Sequence, residues 1–69
     1  MTATRIARDL REMSTDWAIV AHQPAKTMRW SYHVSQQDLR EEVAHRLLET
    51  VQRRVPDGYQ LLARVRPRA

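Results

Sequence analysis

Three histidines are the side chains of this sequence best suited to metal binding: His22, His33 and His45. A protein zinc site needs three or four converging ligands, and the chain has no cysteine to supply a thiolate. In the hairpin predicted below, His22 and His33 lie near opposite ends, roughly 17–20 Å apart at the usual rise of a strand. His45 lies on a predicted helix and has no second histidine four residues later. We therefore predict no metal site and no cofactor.

A second possible chemistry is metal-free RNA cleavage by general acid–base catalysis, with His33, Arg29 and Arg64 as the reacting and charge-stabilising groups. These three residues fall on one face of a predicted sheet, but nothing in their spacing brings them together. The single glycine of the chain leaves little loop from which to shape a pocket. We therefore expect a non-enzymatic protein with no small-molecule substrate.

The chain is basic and its basic residues are almost all arginine. The net charge is +4, and Lys26 is the one lysine among 12 basic residues. Arginine makes bidentate contacts with phosphate and carboxylate groups, although a high-GC genome also favours arginine without any functional reason. The largest local excess lies in residues 57–69, which carry Arg64, Arg66 and Arg68 against Asp57.

The elements that position these residues begin with a predicted β-hairpin. Residues 27–34 alternate strictly between apolar and polar, which is the period of a half-buried strand. Residues 16–22 are predicted to form the first strand, with Trp17, Ile19 and Ala21 on one face. Pro24 lies in the turn between them. When opposing positions sum to 49, Trp17, Ile19 and Ala21 each face an apolar residue of the second strand, which predicts a strongly specified register.

This register assigns side chains to two faces. Trp17 faces Tyr32 and Ile19 faces Trp30 on the face that packs against helices, so both tryptophans belong to the predicted core. On the other face Asp16 meets His33.

Two helices and a third strand complete the prediction. In residues 3–13 apolar side chains recur at spacings of three and four, which predicts a short amphipathic helix with Thr2 or Thr4 as its cap. A longer helix has Ser35 as its N-cap and continues until Pro56. Two ion pairs four residues apart support it, Glu42 with Arg46 and Glu49 with Arg53. The third strand runs from 59 to 66, and its alternation places Leu61 and Ala63 on the face covered by the helices and Leu62 and Arg64 on the other.

The predicted fold class is therefore α+β in the order α-β-β-α-β, with a three-stranded, mainly antiparallel sheet and two helices packed on one face. The simplest sheet places the third strand beside the first and antiparallel to it, and the alternative places it beside the second. Residues 1–69 form a single small domain, and residues 67–69 form a frayed tail.

The uncovered sheet face is the predicted binding surface. It is basic, which suits a phosphate backbone, but the aromatic side chains that would stack on bases are expected to face inward. An apolar patch at its centre is more typical of a protein interface or a homodimer. The residues predicted to bind are Val20, Arg29, His33, Leu62, Arg64 and Arg66.

We therefore predict a small regulatory or accessory module that binds a protein partner or a second copy of itself. The alternative is a nucleic-acid-binding domain that uses the basic face and the C-terminal arginines. No segment approaches the ~20 apolar residues of a membrane span, and the N-terminus has no long apolar run. With no cysteine, these features favour a cytoplasmic protein.

Overall fold

The protein is an α+β domain, seen in a computed structural model that describes residues 5–13 and 16–67. Its elements are α1 (Arg5–Glu12), β1 (Ala18–Pro24), β2 (Ser31–Tyr32), α2 (Gln36–Ala44), β3 (Leu48–Val55) and β4 (Gly58–Val65). The sheet has the order β2-β1-β4-β3, and all neighbours are antiparallel. The predicted α+β class is confirmed. The predicted third strand corresponds to β4, which lies beside the first strand and antiparallel to it, as expected. The three-stranded α-β-β-α-β order is wrong, because four strands form.

The additional strand is β3. Its residues 48–55 were predicted to form the second half of the long helix. Ser35 caps α2 as expected, since its hydroxyl accepts a hydrogen bond from the Asp38 N–H at 3.2 Å. The helix ends at Ala44, and Arg46 then takes a left-handed φ of 60° that a continuing helix does not allow. Residues 48–55 leave the helix and pair along their whole length with β4.

Gly58 fixes the turn between β3 and β4 against the end of β1. Its φ is +144°, and a Cβ built on it would lie 2.0 Å from the Gln23 carbonyl oxygen. Only glycine tolerates that conformation and that close approach. The Ala25 N–H also donates a hydrogen bond to the Asp57 carbonyl of this turn, at 2.8 Å. The hairpin is therefore locked to the centre of the sheet.

The first hairpin has a different register from the predicted one. Its loop closes where the Met28 N–H donates to the Pro24 carbonyl at 2.9 Å, and Met28 has a positive φ of 56°. Because this wide loop uses residues that were assigned to the second strand, Ala21 pairs with Tyr32 and His22 with Ser31. The register in which Trp17 faces Tyr32 is wrong.

A bulge in β1 changes which side chains face the helices. The pairing with β4 shifts between Ile19 and Ala21, so that Val20 and Ala21 are both buried, at 2% and 0% exposure. A bulge inserts one extra residue and shifts the alternation by one position. Val20 therefore packs against the helices and Ile19 lies on the other face, which reverses the predicted assignment of both residues.

Both helices cover the same face of the sheet, as predicted. Their apolar side chains join those of β1, β3 and β4 in one cluster, and its buried members are Ile6, Ala7, Leu10, Val20, Leu39, Leu48 and Ala63. Neither tryptophan belongs to this cluster. Both are half-buried instead, so the expectation of a core built around them is wrong.

A buried carboxylate joins the two helices. The Glu42 side chain has 0% exposure, and it accepts hydrogen bonds from the Ile6 N–H at 3.0 Å and the Ala7 N–H at 2.8 Å. First-turn N–H groups have no partner inside their own helix, and a negative charge at this end is favoured by the helix dipole. Glu42 is thus a cap supplied by α2 to α1, and the predicted surface pair with Arg46 is wrong.

Several predictions fall on residues that the structure does not describe. The caps at Thr2 and Thr4 and the tail residues Arg68 and Ala69 all lie outside the described residues. Neither described helix is long and apolar enough to span a membrane.

Candidate functional site

The strongest candidate site is the sheet face that the helices leave uncovered, which we call the open face. Strand register and side-chain contacts place three rows of residues on it, each running across several strands. Its members are Trp17, Ile19, His22, Ser31, Glu49, Val51, Arg53, Gln60, Leu62 and Arg64.

The central row is apolar. Ile19 of β1 and Val51 of β3 flank Leu62 of β4, since the register pairs each of them with Leu62. Leu62 is 7% exposed, whereas Ile19 and Val51 are 45% and 47% exposed. The row thus has a well-packed centre and two accessible ends, a shape that offers apolar area to a partner.

The second row is built around Arg64. Its guanidinium carbon lies 4.7 Å from the ring centroid of Trp17, which is a cation–π contact. Its Nε donates to the Glu49 carboxylate, and its Nη1 lies 3.7 Å from an oxygen of Asp16. Two carboxylates and one indole therefore hold this arginine in place beside the apolar row.

The third row is polar and lies on the other side of the apolar row. Gln60 pairs in register with His22 on one side and with Arg53 on the other. The Arg53 guanidinium donates a hydrogen bond to the Gln60 amide oxygen. Arginines in the second and third rows are thus both engaged by neighbouring side chains.

His22 and His33 are in contact, which overturns the predicted separation of roughly 17–20 Å. The His22 Nδ1 and His33 Nε2 atoms are 3.1 Å apart, and the ring centroids are 5.2 Å apart. The register explains the change: Ser31 lies opposite His22, and the His33 N–H donates to the Val20 carbonyl at 2.8 Å. The expected pairing of His33 with Asp16 is wrong, because Asp16 lies beside Arg64.

This histidine pair alone does not make a metal site of the usual kind. Among the residues that the structure describes, no group of three or more histidine, aspartate or glutamate side chains converges on one point. An N–H of one imidazole donates a hydrogen bond to the ring nitrogen of the other, which orients both rings at the edge of the open face.

The predicted binding residues do not form one cluster. Val20 is in the core, and Leu62 and Arg64 lie on the open face as expected. Arg29 is exposed in the segment before β2, and Arg66 is exposed at the opposite end of the sheet, where its N–H donates to the Leu47 carbonyl. The set of His33, Arg29 and Arg64 that the acid–base hypothesis requires is therefore spread along the sheet.

Sequence reasoning missed five members of the open face: Trp17, Ile19, Glu49, Val51 and Arg53. Trp17 and Ile19 were assigned to the core because the alternation of β1 was read without its bulge. The other three were assigned to a helix. A signal for β3 was present, since Pro56-Asp57-Gly58 lies between Val55 and Tyr59, and this run of residues is typical of a turn.

A second concave feature lies on the helix-covered side, between α2 and the sheet. It is a groove of about 220 Å³ lined by Tyr32, Leu39, Val43 and Leu61 among others. Small-molecule sites usually have about 300–1,000 Å³. The groove is smaller than this range, and the open face is the better candidate.

Comparisons of the chain with protein-family models, with curated proteins and with solved structures give no match. The function is therefore argued from the open face itself.

Proposed function

We propose that this protein is a non-enzymatic binding module whose open face contacts a protein partner, in a regulatory or accessory role. The observation that carries the proposal is the exposed apolar row of Ile19, Leu62 and Val51 beside the Trp17–Arg64 pair. The partner that fits this surface presents an apolar patch with charges of both signs at its rim.

The composition of the open face supports a protein partner. Tryptophan and arginine are enriched among the residues that contribute most to binding at protein interfaces, and here they are adjacent, with Arg64 4.7 Å from the Trp17 ring. Polar rows on both sides of an apolar centre match the usual anatomy of an interface, an apolar core within a polar rim.

The charge pattern argues for the same conclusion. Arg64 lies against Glu49 and Asp16, and Arg53 is engaged by Gln60. A surface that follows a phosphate backbone needs uncompensated positive charge to release counterions. The described part of the open face instead carries matched charges, which favour a partner that is itself mixed in charge.

Nucleic-acid binding is the second candidate, and one observation favours it. Trp17 lies on the open face beside Arg64, although inward-facing aromatics had argued against this function. An outward tryptophan next to an arginine is a stacking platform for an unpaired base. Arg29 and Arg66 would supply phosphate contacts at the two ends of the sheet.

The decisive experiment compares partner capture by the wild-type protein and by Ile19→Asp, with Val43→Asp on α2 as the matched control, because Val43 is 37% exposed and the change adds the same charge. A partner retained by wild type and by the control is then purified and titrated with all three proteins. We expect at least a tenfold weaker affinity for Ile19→Asp, because a charge would be buried against an apolar surface. If Ile19→Asp binds that purified partner as tightly as wild type, the proposal is wrong.

The nucleic-acid alternative is tested separately by fluorescence anisotropy with a labelled single-stranded RNA at low and high salt. Binding that weakens steeply with salt and is lost in Trp17→Ala would favour this second candidate. Binding that is absent at low salt would remove it.

A further inference from the structure

The outer edge of β3 is the longest exposed strand edge in the sheet. β3 (Leu48–Val55) has eight residues and pairs only with β4 within the described ranges, whereas the opposite edge strand β2 has two. Every second residue of an edge strand directs its N–H and C=O outward, where another strand can pair with them. This edge is therefore a template for adding a strand.

The side chains of β3 on the open face are self-complementary. Glu49, Val51 and Arg53 follow one another on that face, because they pair with Arg64, Leu62 and Gln60 respectively. The order is acidic, apolar, basic. An antiparallel copy of the same strand presents this order in reverse, so that opposite charges meet at both ends and valine meets valine in the middle.

We propose that two copies of this chain associate through antiparallel pairing of their β3 edges, about a two-fold axis that passes by Val51. In this register Glu49 of each copy lies opposite Arg53 of the other. The two four-stranded sheets join into one, and the two open faces lie on the same side. The proposal concerns a strand edge and does not rest on the function proposed for the open face.

The register follows from the face assignment. Directly opposed residues in an antiparallel pair project to the same face, so the two open faces are continuous only when odd-numbered residues pair with odd-numbered ones. A two-fold axis at Thr50 would place Glu49 opposite Val51, and one at Gln52 would place Val51 opposite Arg53. The axis at Val51 is the arrangement that matches both charges and the apolar centre.

The charges remain available for this contact. Glu49 uses one carboxylate oxygen, Oε1, for Arg64, and Arg53 uses one guanidinium nitrogen, Nη2, for Gln60. The second oxygen of the carboxylate and the other guanidinium donors can bond across the axis. The apolar row would then extend from Ile19 of one copy through both Val51 side chains to Ile19 of the other.

The test is the oligomeric state of the full chain by analytical ultracentrifugation over a wide concentration range. We expect a monomer–dimer equilibrium for wild type. Glu49→Arg and Arg53→Glu should each weaken dimerisation at least about tenfold, since like charges would then oppose each other at two positions. An equimolar mixture of the two variants should restore association as a heterodimer, because the reversed charges are complementary.

Controls separate the interface from general charge effects and from folding. Arg11 and Glu12 are exposed residues of α1. Glu12→Arg and Arg11→Glu therefore make the same charge changes at exposed positions, and both variants should dimerise like wild type. Circular dichroism checks that each variant is folded. If Glu49→Arg does not fold for lack of its bond to Arg64, hydrogen exchange on wild type replaces it. The outward-facing amides of β3 should then become protected as protein concentration rises.

Three results would overturn the proposal. They are a wild-type protein that is monomeric at every concentration, a folded Arg53→Glu variant that dimerises as tightly as wild type, and concentration-independent exchange of the β3 amides. Ile19→Asp keeps both edge charges. Loss of the partner with retained dimerisation in that variant would therefore show that the two surfaces act separately.

Discussion

The two faces of the sheet are made by the same strands but are stabilised differently. On the covered face, small and aliphatic side chains such as Val20 and Ala63 are almost fully buried under two short helices. On the open face, Ile19 and Val51 stay nearly half exposed, and the polar residues beside them bond to each other. The covered face contains the buried core of the domain, and the open face leaves apolar area exposed.

The two faces also differ in which groups donate hydrogen bonds to a carboxylate. Glu42 is fully buried on the covered side, where two backbone N–H groups satisfy its carboxylate. Glu49 on the open face is half-buried and accepts from a side chain, Arg64. The first carboxylate fixes one helix to another, whereas the second orients a surface arginine.

The largest loss of stability is expected when Glu42 is substituted, and it tests the difference between the two carboxylates. Glu42→Ala should lower the free energy of unfolding by about 3–4 kcal/mol, because it leaves two buried N–H groups without an acceptor. Glu42→Gln should cost about half as much, since its amide oxygen still accepts one bond. Urea unfolding followed by tryptophan fluorescence measures both. A loss below about 1 kcal/mol for Glu42→Ala would contradict the cap.

A smaller effect should separate two neighbouring residues of β1. Val20→Ala is expected to cost about 1.5–3 kcal/mol, because Val20 is packed in the core. Ile19→Ala removes a larger side chain yet should cost less than about 1 kcal/mol, since that side chain is nearly half exposed. Thermal and urea unfolding of the two variants give the comparison directly. Equal costs, or a larger cost for Ile19, would show that the β1 bulge is misplaced.

The smallest effect is expected at Arg64. Arg64→Ala removes the contact with Trp17 and two carboxylate contacts, but at a partly exposed site, so we expect a loss of about 1 kcal/mol. Arg64→Lys should recover little of it, because lysine lacks the planar guanidinium that bonds Glu49 while stacking on the ring. Urea unfolding at low and high salt provides the measurement. An unchanged stability in Arg64→Ala would mean that the row around Arg64 is not ordered in solution.

Local patterns predicted much of the fold. The alternation from Tyr59 to Val65 placed Leu61 and Ala63 on the covered face and Leu62 and Arg64 on the open face, as found. Ser35 was recognised as a cap because serine before a helix accepts the N–H three residues later. These predictions succeeded because each depends on residues adjacent in sequence.

The candidate site was predicted only in part, because two of its features depend on distant partners. Leu62 and Arg64 were found from their strand alone. Trp17 was not, since the bulge that turns it outward is defined by how β1 pairs with β4, about forty residues later. The His22–His33 contact was missed for a similar reason, as it depends on how many residues the first loop uses.

The sequence by itself determined that the chain makes a small α+β domain with helices on one side of an antiparallel sheet, because hydrophobic periodicity and capping act over a few residues. Tertiary structure decided that residues 48–55 are a strand and that Glu42 is a cap. Residues 48–55 carry spacings compatible with either element, and β4 supplies the eight-residue ladder that makes the strand. Glu42 became a cap because α1 places its unpaired N–H groups against α2.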